Sequence, residues 1–164
     1  GKGSTFTVTL KHRIADESYY VKKHDEGSGT ASKILEGRNI LLAEDNDLNA
    51  EIAEAILERA GLKTERVEDG IQCVNRIMQM PVGTYDVILM DIQMPEMNGL
   101  DATRKIREMH TPYARIPIIA MTANLFDEDV AACLAAGMDA HIPKPLEAGQ
   151  MIRTIAEWLE RKKQ

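Results

Sequence analysis

Four short apolar runs each lead to a residue that can do polar chemistry. Glu44-Asp45 follows Asn39-Ile40-Leu41-Leu42-Ala43, and Asp91 ends Tyr85-Asp86-Val87-Ile88-Leu89-Met90. Thr122 follows Ile116-Pro117-Ile118-Ile119-Ala120-Met121, and Lys144-Pro145 follows Asp139-Ala140-His141-Ile142-Pro143. If the runs are strands of a parallel α/β sheet, their C-terminal ends share one edge, the edge where such sheets bind ligands. Three acids, a hydroxyl and an ammonium then converge. Carboxylates packed together repel, and a divalent cation removes that penalty. Oxygen-only ligands point to Mg²⁺, which shares its shell with phosphate. A carboxylate can also attack phosphorus to give an aspartyl phosphate, and Asp91, central on the edge, is the candidate nucleophile. Lys144 would supply positive charge to the phosphoryl oxygens and Thr122 a hydroxyl donor. Pro145 restricts the backbone of Lys144 and helps fix its direction.

The elements needed to position these groups are readable. Residues 39–43 form a continuous apolar run, as in a strand buried on both faces. Asn46 or Asp47 can cap a helix running to Ala60, with Leu48, Ile52, Ile56 and Ala60 recurring every four residues and Gly61 ending it. A second strand is expected at 63–67. A helix over 70–80 turns Ile71, Val74, Ile77 and Met78 inward and stops at Pro81. The third strand falls at 85–90, and a helix after Gly99 carries Ala102, Ile106 and Met109. Strand four is expected at 116–120, a helix at 125–136 ended by Gly137, and strand five at 139–142. A last helix, about 146–161, carries Met151, Ile155, Trp158 and Leu159. Strict alternation of strand and helix gives a parallel sheet with helices on both faces, because parallel strands need right-handed crossovers. The flavodoxin-like (βα)5 three-layer sandwich, with a five-stranded sheet of order 2-1-3-4-5, fits this length. Its switch point lies between strands one and three, which makes Glu44-Asp45 and Asp91 neighbours.

Composition narrows the class. The chain has 164 residues, 44% hydrophobic and 28% charged, with net charge −6. That is ordinary for a soluble globular protein and long enough for one domain with an appendage. A pI near 5.3 argues against a nucleic-acid surface, which wants a basic patch. No apolar run approaches the ~20 residues that span a bilayer. Residue 1 is Gly and the chain opens mid-pattern, so a fragment of a longer protein is expected. Cys73 and Cys133 lack CxxC spacing and read as small buried hydrophobes.

Residues 38–161 resemble a response-regulator receiver domain of two-component signalling. The resemblance rests on Leu-Leu-Ala-Glu-Asp-Asn (41–46), Val-Ile-Leu-Met-Asp-Ile-Gln-Met-Pro-Glu-Met-Asn-Gly (87–99), Ile-Ile-Ala-Met-Thr-Ala (118–123) and Lys144-Pro145. It implies that Asp91 is the phosphoacceptor. It implies direct Mg²⁺ ligation by Asp45 and Asp91, by Glu44 through water, and by the backbone carbonyl of Gln93. It also implies that Thr122 and Lys144 contact the phosphoryl group, and that the Lys144–Pro145 bond is cis. His141 stands where many members place a Tyr or Phe switch residue. An imidazole there is either a switch or a plain strand-end residue.

Residues 1–10, Gly-Lys-Gly-Ser-Thr-Phe-Thr-Val-Thr-Leu, resemble the last glycine loop and strand of a histidine-kinase ATP-binding domain. Residues 11–37 are polar and Gly/Ser-containing and read as a flexible linker, which leaves 38–164 as the receiver. That layout implies the C-terminal part of a cytoplasmic hybrid sensor histidine kinase, in a parent that is membrane-anchored or not. The domain would take a phosphoryl group from a phosphohistidine, in cis or in trans. It would pass the group to a histidine phosphotransfer protein or lose it to water, without nucleic-acid or membrane contact of its own. Lacking the kinase core, the fragment is expected to catalyse only its own phosphorylation and dephosphorylation. With no output domain after Gln164, relay is expected rather than transcription control. Two rivals stand beside this reading. An aspartyl-phosphate phosphatase or phosphotransferase would place a second acid two residues after the nucleophile, where this chain has Gln93. A non-phosphorylated interaction module would have lost an acid or Lys144, and none is lost.

Overall fold

The computed structural model describes residues 33–123 and 127–161. The expectations for residues 1–10 and most of the linker lie outside the described residues. The linker's end does not: residues 33–35 are helical and Leu35 is buried in the core, so packing starts ahead of Arg38.

Strands and helices alternate throughout: β1 (Asn39–Ala43), α1 (Asp47–Arg59), β2 (Lys63–Val67), α2 (Gly70–Gln79), β3 (Val87–Asp91), α3 (Gly99–Arg107), a 3-10 turn (Pro112–Arg115), β4 (Ile118–Thr122), α4 (Asp127–Ala136), β5 (Ala140–Pro143) and α5 (Ala148–Arg161). The strands form one five-stranded sheet of order β2-β1-β3-β4-β5, and every pairing is parallel. This is the expected flavodoxin-like three-layer arrangement. Side chains alternate across the sheet because the strand period is two. Ile40, Leu42, Val87 and Leu89 face α1 and α5; Leu41, Ala43, Ile88 and Met90 face α2, α3 and α4.

Strand boundaries differ from the sequence reading in one consistent way. Strands three, four and five begin and end later than expected, so Asp91 and Thr122 are the last residues of β3 and β4 rather than residues beyond them. The cause lies at the opposite edge. Asp86 does not pair as a strand residue; its carboxylate accepts the Asn39 N–H at 3.0 Å and an Arg38 N–H at 3.0 Å. Pro117 has no N–H to give a ladder, and the carbonyl of Ile116 is taken by Arg107 at 2.8 Å. Asp139 Oδ2 accepts the Ile118 N–H at 2.7 Å and so sits ahead of β5.

The α1 reading needs correction. Only half of the stripe meets the core: Leu48 is 65% exposed and Ile52 42%, while Ile56 and Ala60 are half-buried against it. Ala50, Ala53 and Leu57 are the buried positions. Small residues let the helix approach the sheet closely, and the larger aliphatics are left outside. In α2, likewise, Val74 and Ile77 are buried with Cys73, whereas Ile71 and Met78 are exposed. In α3 Ala102 and Ile106 are buried as expected, with Thr103; Met109, expected on the same helix, lies past its end at Arg107 and packs at the core margin. In α5 Met151, Ile155 and Leu159 are buried and Trp158 partly so. Both cysteines are free and buried.

Candidate functional site

The register of the sheet places the C-terminal ends of β1, β3, β4 and β5 around one cleft of about 310 Å³. Its lining includes Glu44, Asp45, Asp91, Gln93, Thr122 and Lys144. Every residue that the resemblance assigns to metal or phosphoryl contact therefore lies at this one cleft. His141 does not line it; it is half-buried on β5, paired in register with Ala120.

Local chain geometry sets each side chain. Asp91 is the last residue of a fully buried strand and is itself only 6% exposed. Its Oδ1 accepts the Gln93 N–H at 3.2 Å. The loop that follows returns to the site at Gly99, whose N–H donates to Ile92 O at 2.9 Å. A Cβ on Gly99 would stand 2.1 Å from the Asp91 carbonyl oxygen and 2.8 Å from Met90 Cγ, so glycine is required for this close approach. Thr122 is buried on the neighbouring strand, and the Lys144 N–H donates to its carbonyl at 2.7 Å, carrying β5's end to the cleft. The Lys144–Pro145 bond is cis, as the resemblance implies.

Charge organises the cleft floor. The Lys144 ammonium donates to Glu44 Oε2 at 2.7 Å and to Asp91 Oδ2 at 2.8 Å. Glu44 is wholly buried and Asp45 exposed. One carboxylate oxygen from each of Glu44, Asp45 and Asp91 lies within 4.8 Å of the others. Burial, reinforced by the Glu44 charge, holds the Asp91 carboxyl above its ordinary range, against the lowering pull of Lys144. Burial alone would lower the Lys144 ammonium. The hydrogen bonds and charges of Asp91 and Glu44 outweigh it and hold Lys144 above its ordinary range. A buried anion pair with one shared ammonium and an exposed third carboxylate is a donor set of hard oxygens. Such a set fits a small divalent cation that keeps part of its water.

Three residues at the site are absent from the sequence reading. Arg66 of β2 donates to the Glu44 carbonyl at 3.1 Å, the Asp45 carbonyl at 3.2 Å and Asp47 Oδ1 at 2.8 Å. It fixes the backbone of the acidic loop. Asn49 donates its side-chain amide to Glu44 Oε1 at 3.1 Å. Asp129 of α4 adds a carboxylate to the lining. Crossover connections bring Arg66 and Asp129 to the edge, whereas Asn49 reaches it within the turn from β1 into α1. The one local signal near Asn49 is Asn46, which the sequence reading offers, with Asp47, only as a helix cap.

Comparison with known proteins agrees with the geometry. A family model described as the response regulator receiver domain matches residues 40–156. The hybrid signal transduction histidine kinase L of Dictyostelium discoideum is 36% identical over 136 residues, which span 82% of this chain and 8% of that protein. The receiver domain of a sensor histidine kinase from Pseudomonas aeruginosa, solved with a magnesium ion in its active-site cleft, is 40% identical with a TM-score of 0.69. That match covers 76% of this chain and 98% of that one. A chain of the Saccharomyces cerevisiae co-crystal of the phosphotransfer protein Ypd1 with the receiver domain of Ssk1 is 26% identical, TM-score 0.68, covering 75% of this chain and 89% of that one. The chain spans less than a fifth of the length of the curated relatives it matches.

Proposed function

This chain belongs to the response regulator receiver domain family, and on that premise we propose that Asp91 is its phosphoacceptor in a phosphorelay. The observation that carries the reading is the Lys144 ammonium bonded to both Asp91 and the wholly buried Glu44 beneath an exposed Asp45. In this reading a divalent cation is held by Asp45 and Asp91 directly, by the Gln93 carbonyl beside them and by Glu44 through water; the clustered carboxylate oxygens and a relative solved with magnesium in its active-site cleft support a cation here. When bound, the cation neutralises phosphoryl oxygens and the repulsion among these acids.

The chain's own residues do the rest. A carboxylate oxygen of Asp91 attacks the phosphorus of a phosphohistidine. The new O–P bond forms as the N–P bond breaks, and the imidazole leaves with the electron pair and takes a proton. Lys144 exchanges its bond to Asp91 for one to the phosphoryl oxygens, and Thr122 donates its hydroxyl to the same group. The transfer is mostly alignment and charge stabilisation, which a rigid strand-end cleft provides. Thr122 and His141, on adjacent strands, are the proposed route by which the phosphorylated state reaches the β5 face.

The partner is a histidine phosphotransfer protein, and the parent a hybrid histidine kinase acting in the cytoplasm. The relatives support the parent, and the co-crystal of a receiver with a phosphotransfer protein supports the partner. A docked partner is also supported by exposed Leu48 and Ile52 on α1, the helix whose first turn, at Asn49, lines the cleft. No helix among the described residues is long and apolar enough to cross a membrane.

Acetyl phosphate with Mg²⁺ should add one phosphoryl group to the chain, mapped to Asp91 by borohydride trapping. Asp91→Asn should abolish it while the fold persists. Full labelling of that variant at another carboxylate would overturn the assignment.

A further inference from the structure

Glu44 is wholly buried, and three donors meet its carboxylate. Lys144 Nζ takes Oε2 at 2.7 Å; the Asn46 N–H and Asn49 Nδ2 take Oε1 at 3.3 Å and 3.1 Å. The amide orientation of Asn49 follows from its neighbour, since an ionised carboxylate accepts only and the Nδ2 end must face it. The start of α1 is a rearranged capping box. Asn46 Oδ1 accepts the Asn49 N–H at 3.0 Å, as a cap should. In the usual box the third helical residue is an acceptor, Glu or Gln, that reaches back to the cap's own N–H. Here Glu44, two residues ahead of the cap, takes that N–H. The third helical position carries a donor aimed at Glu44 instead. A Glu at position 49 would set a second anion against Glu44.

The two Glu44 oxygens therefore have different fates. Lys144 is shared with Asp91, and on the phosphoacceptor reading it turns to the phosphoryl group, which releases Oε2. The bonds to Oε1 belong to the α1 terminus and do not depend on that exchange. We infer that Asn49 is a positioning residue: its amide holds Oε1 so that Oε2 faces the cleft as the oxygen offered to cation-bound water. The inference rests on the phosphoacceptor reading, in which the cleft takes a divalent cation.

Mg²⁺ titration followed by isothermal calorimetry and by amide NMR shifts tests it, without phosphorylation. Removal of an outer partner of a metal ligand costs roughly tenfold or more in metal affinity, and Glu44 acts one shell further out, through water, which places Asn49 at the low end. Asn49→Ala and Asn49→Ser keep the backbone N–H that α1 needs but cannot reach Glu44. Both should raise the Mg²⁺ Kd about tenfold, the low end of that range, and shrink the Mg²⁺-induced rise in Tm. Asn49→Gln keeps an amide donor and should recover most of the affinity. A purely structural role would instead lower the Tm of the metal-free protein and leave the Kd within twofold of wild type in the Ala and Ser variants, which overturns the inference. Equal weakness in Gln and Ala overturns the donor role. If the wild type itself shows no Mg²⁺ binding, the functional reading fails first, and the two failures are distinct.

Discussion

The guanidinium of Arg107, at the end of α3, and the carboxylate of Asp139, one residue ahead of β5, form a 2.7 Å ion pair at the sheet edge opposite the acidic cleft. The same guanidinium donates to the carbonyls of Gly137, Ala114 and Ile116, each at 2.8 Å. Asp139 in turn holds the first N–H of β4. One side chain thus ties α3, the turn before β4, and the approach to β5. Arg107→Ala strands three carbonyls and a partly buried carboxylate, and should cost on the order of 3 kcal/mol in denaturant unfolding. Arg107→Lys should recover less than half, because an ammonium cannot reproduce the fork.

Lys144→Met leaves Glu44 and Asp91 buried together without a cation. Metal-free stability at neutral pH should fall by roughly 3 kcal/mol, as for removal of one partner from a buried pair. Mg²⁺ should then raise the variant's Tm more than it raises that of the wild type. Acidification should narrow the deficit. The Asp91 value is already raised in the fold, so its ionisation costs stability; that cost is absent below the unfolded value of about 4 and complete above the folded value. Unfolding curves between neutral and mildly acidic pH give the sign. A deficit that widens on acidification would contradict the environment described for Asp91.

Gly99→Ala puts a methyl where the Asp91 carbonyl and Met90 already stand. α3 must back away, at about 2 kcal/mol for an overpacked contact. Phosphorylation by acetyl phosphate should slow, since Asp91 shifts with its carbonyl. Unchanged stability and rate would mean that the α3 terminus yields freely.

Neither cysteine should react with Ellman's reagent in the native protein at pH 8, and both should after denaturation. Both thiols are buried, and burial pushes Cys73 up to about 12 and Cys133 upward as well. The thiolate, the reactive form, is then scarce at that pH.

Leu48→Asp and Ile52→Asp should leave stability within about 0.5 kcal/mol, as exposed positions do. Binding of a histidine phosphotransfer protein, followed by calorimetry, should weaken at least tenfold. Intact binding in both variants would move the docking surface away from α1.

Much of the fold and of the cleft is legible in the sequence, and the reasons are specific. Apolar runs that stop at an acid, a threonine or a lysine fix strand direction, and a parallel sheet then forces those stops to one edge; hence Glu44, Asp45, Asp91, Thr122 and Lys144 are readable from residue type and order, whereas Gln93 enters only through the family resemblance. Strand starts are less legible, because Asp86, Pro117 and Asp139 lie in apolar surroundings yet serve the opposite edge through backbone N–H groups, carbonyls and arginines. The α1 stripe misleads because periodicity weighs side-chain size, whereas Ala50 and Ala53 are buried by closeness of approach. Arg66 and Asp129 are invisible locally, because their roles depend on which elements the crossovers bring together; Asn49 meets Glu44 across the β1–α1 turn, which its residue type alone does not announce.

The two ends of the sheet differ in electrical character. At the lower end Asp86 and Asp139 are each matched by an arginine and a backbone N–H. At the upper end Glu44, Asp45, Asp91 and Asp129 border the cleft with the Lys144 ammonium set among them. Any phosphodonor is an anion, and it approaches a mouth where carboxylates outnumber that ammonium. A cation approaches the same mouth downhill. On the proposed function, this field would set an order of arrival, metal before phosphodonor, and would make the availability of free divalent ions a gate on how quickly the domain can be charged.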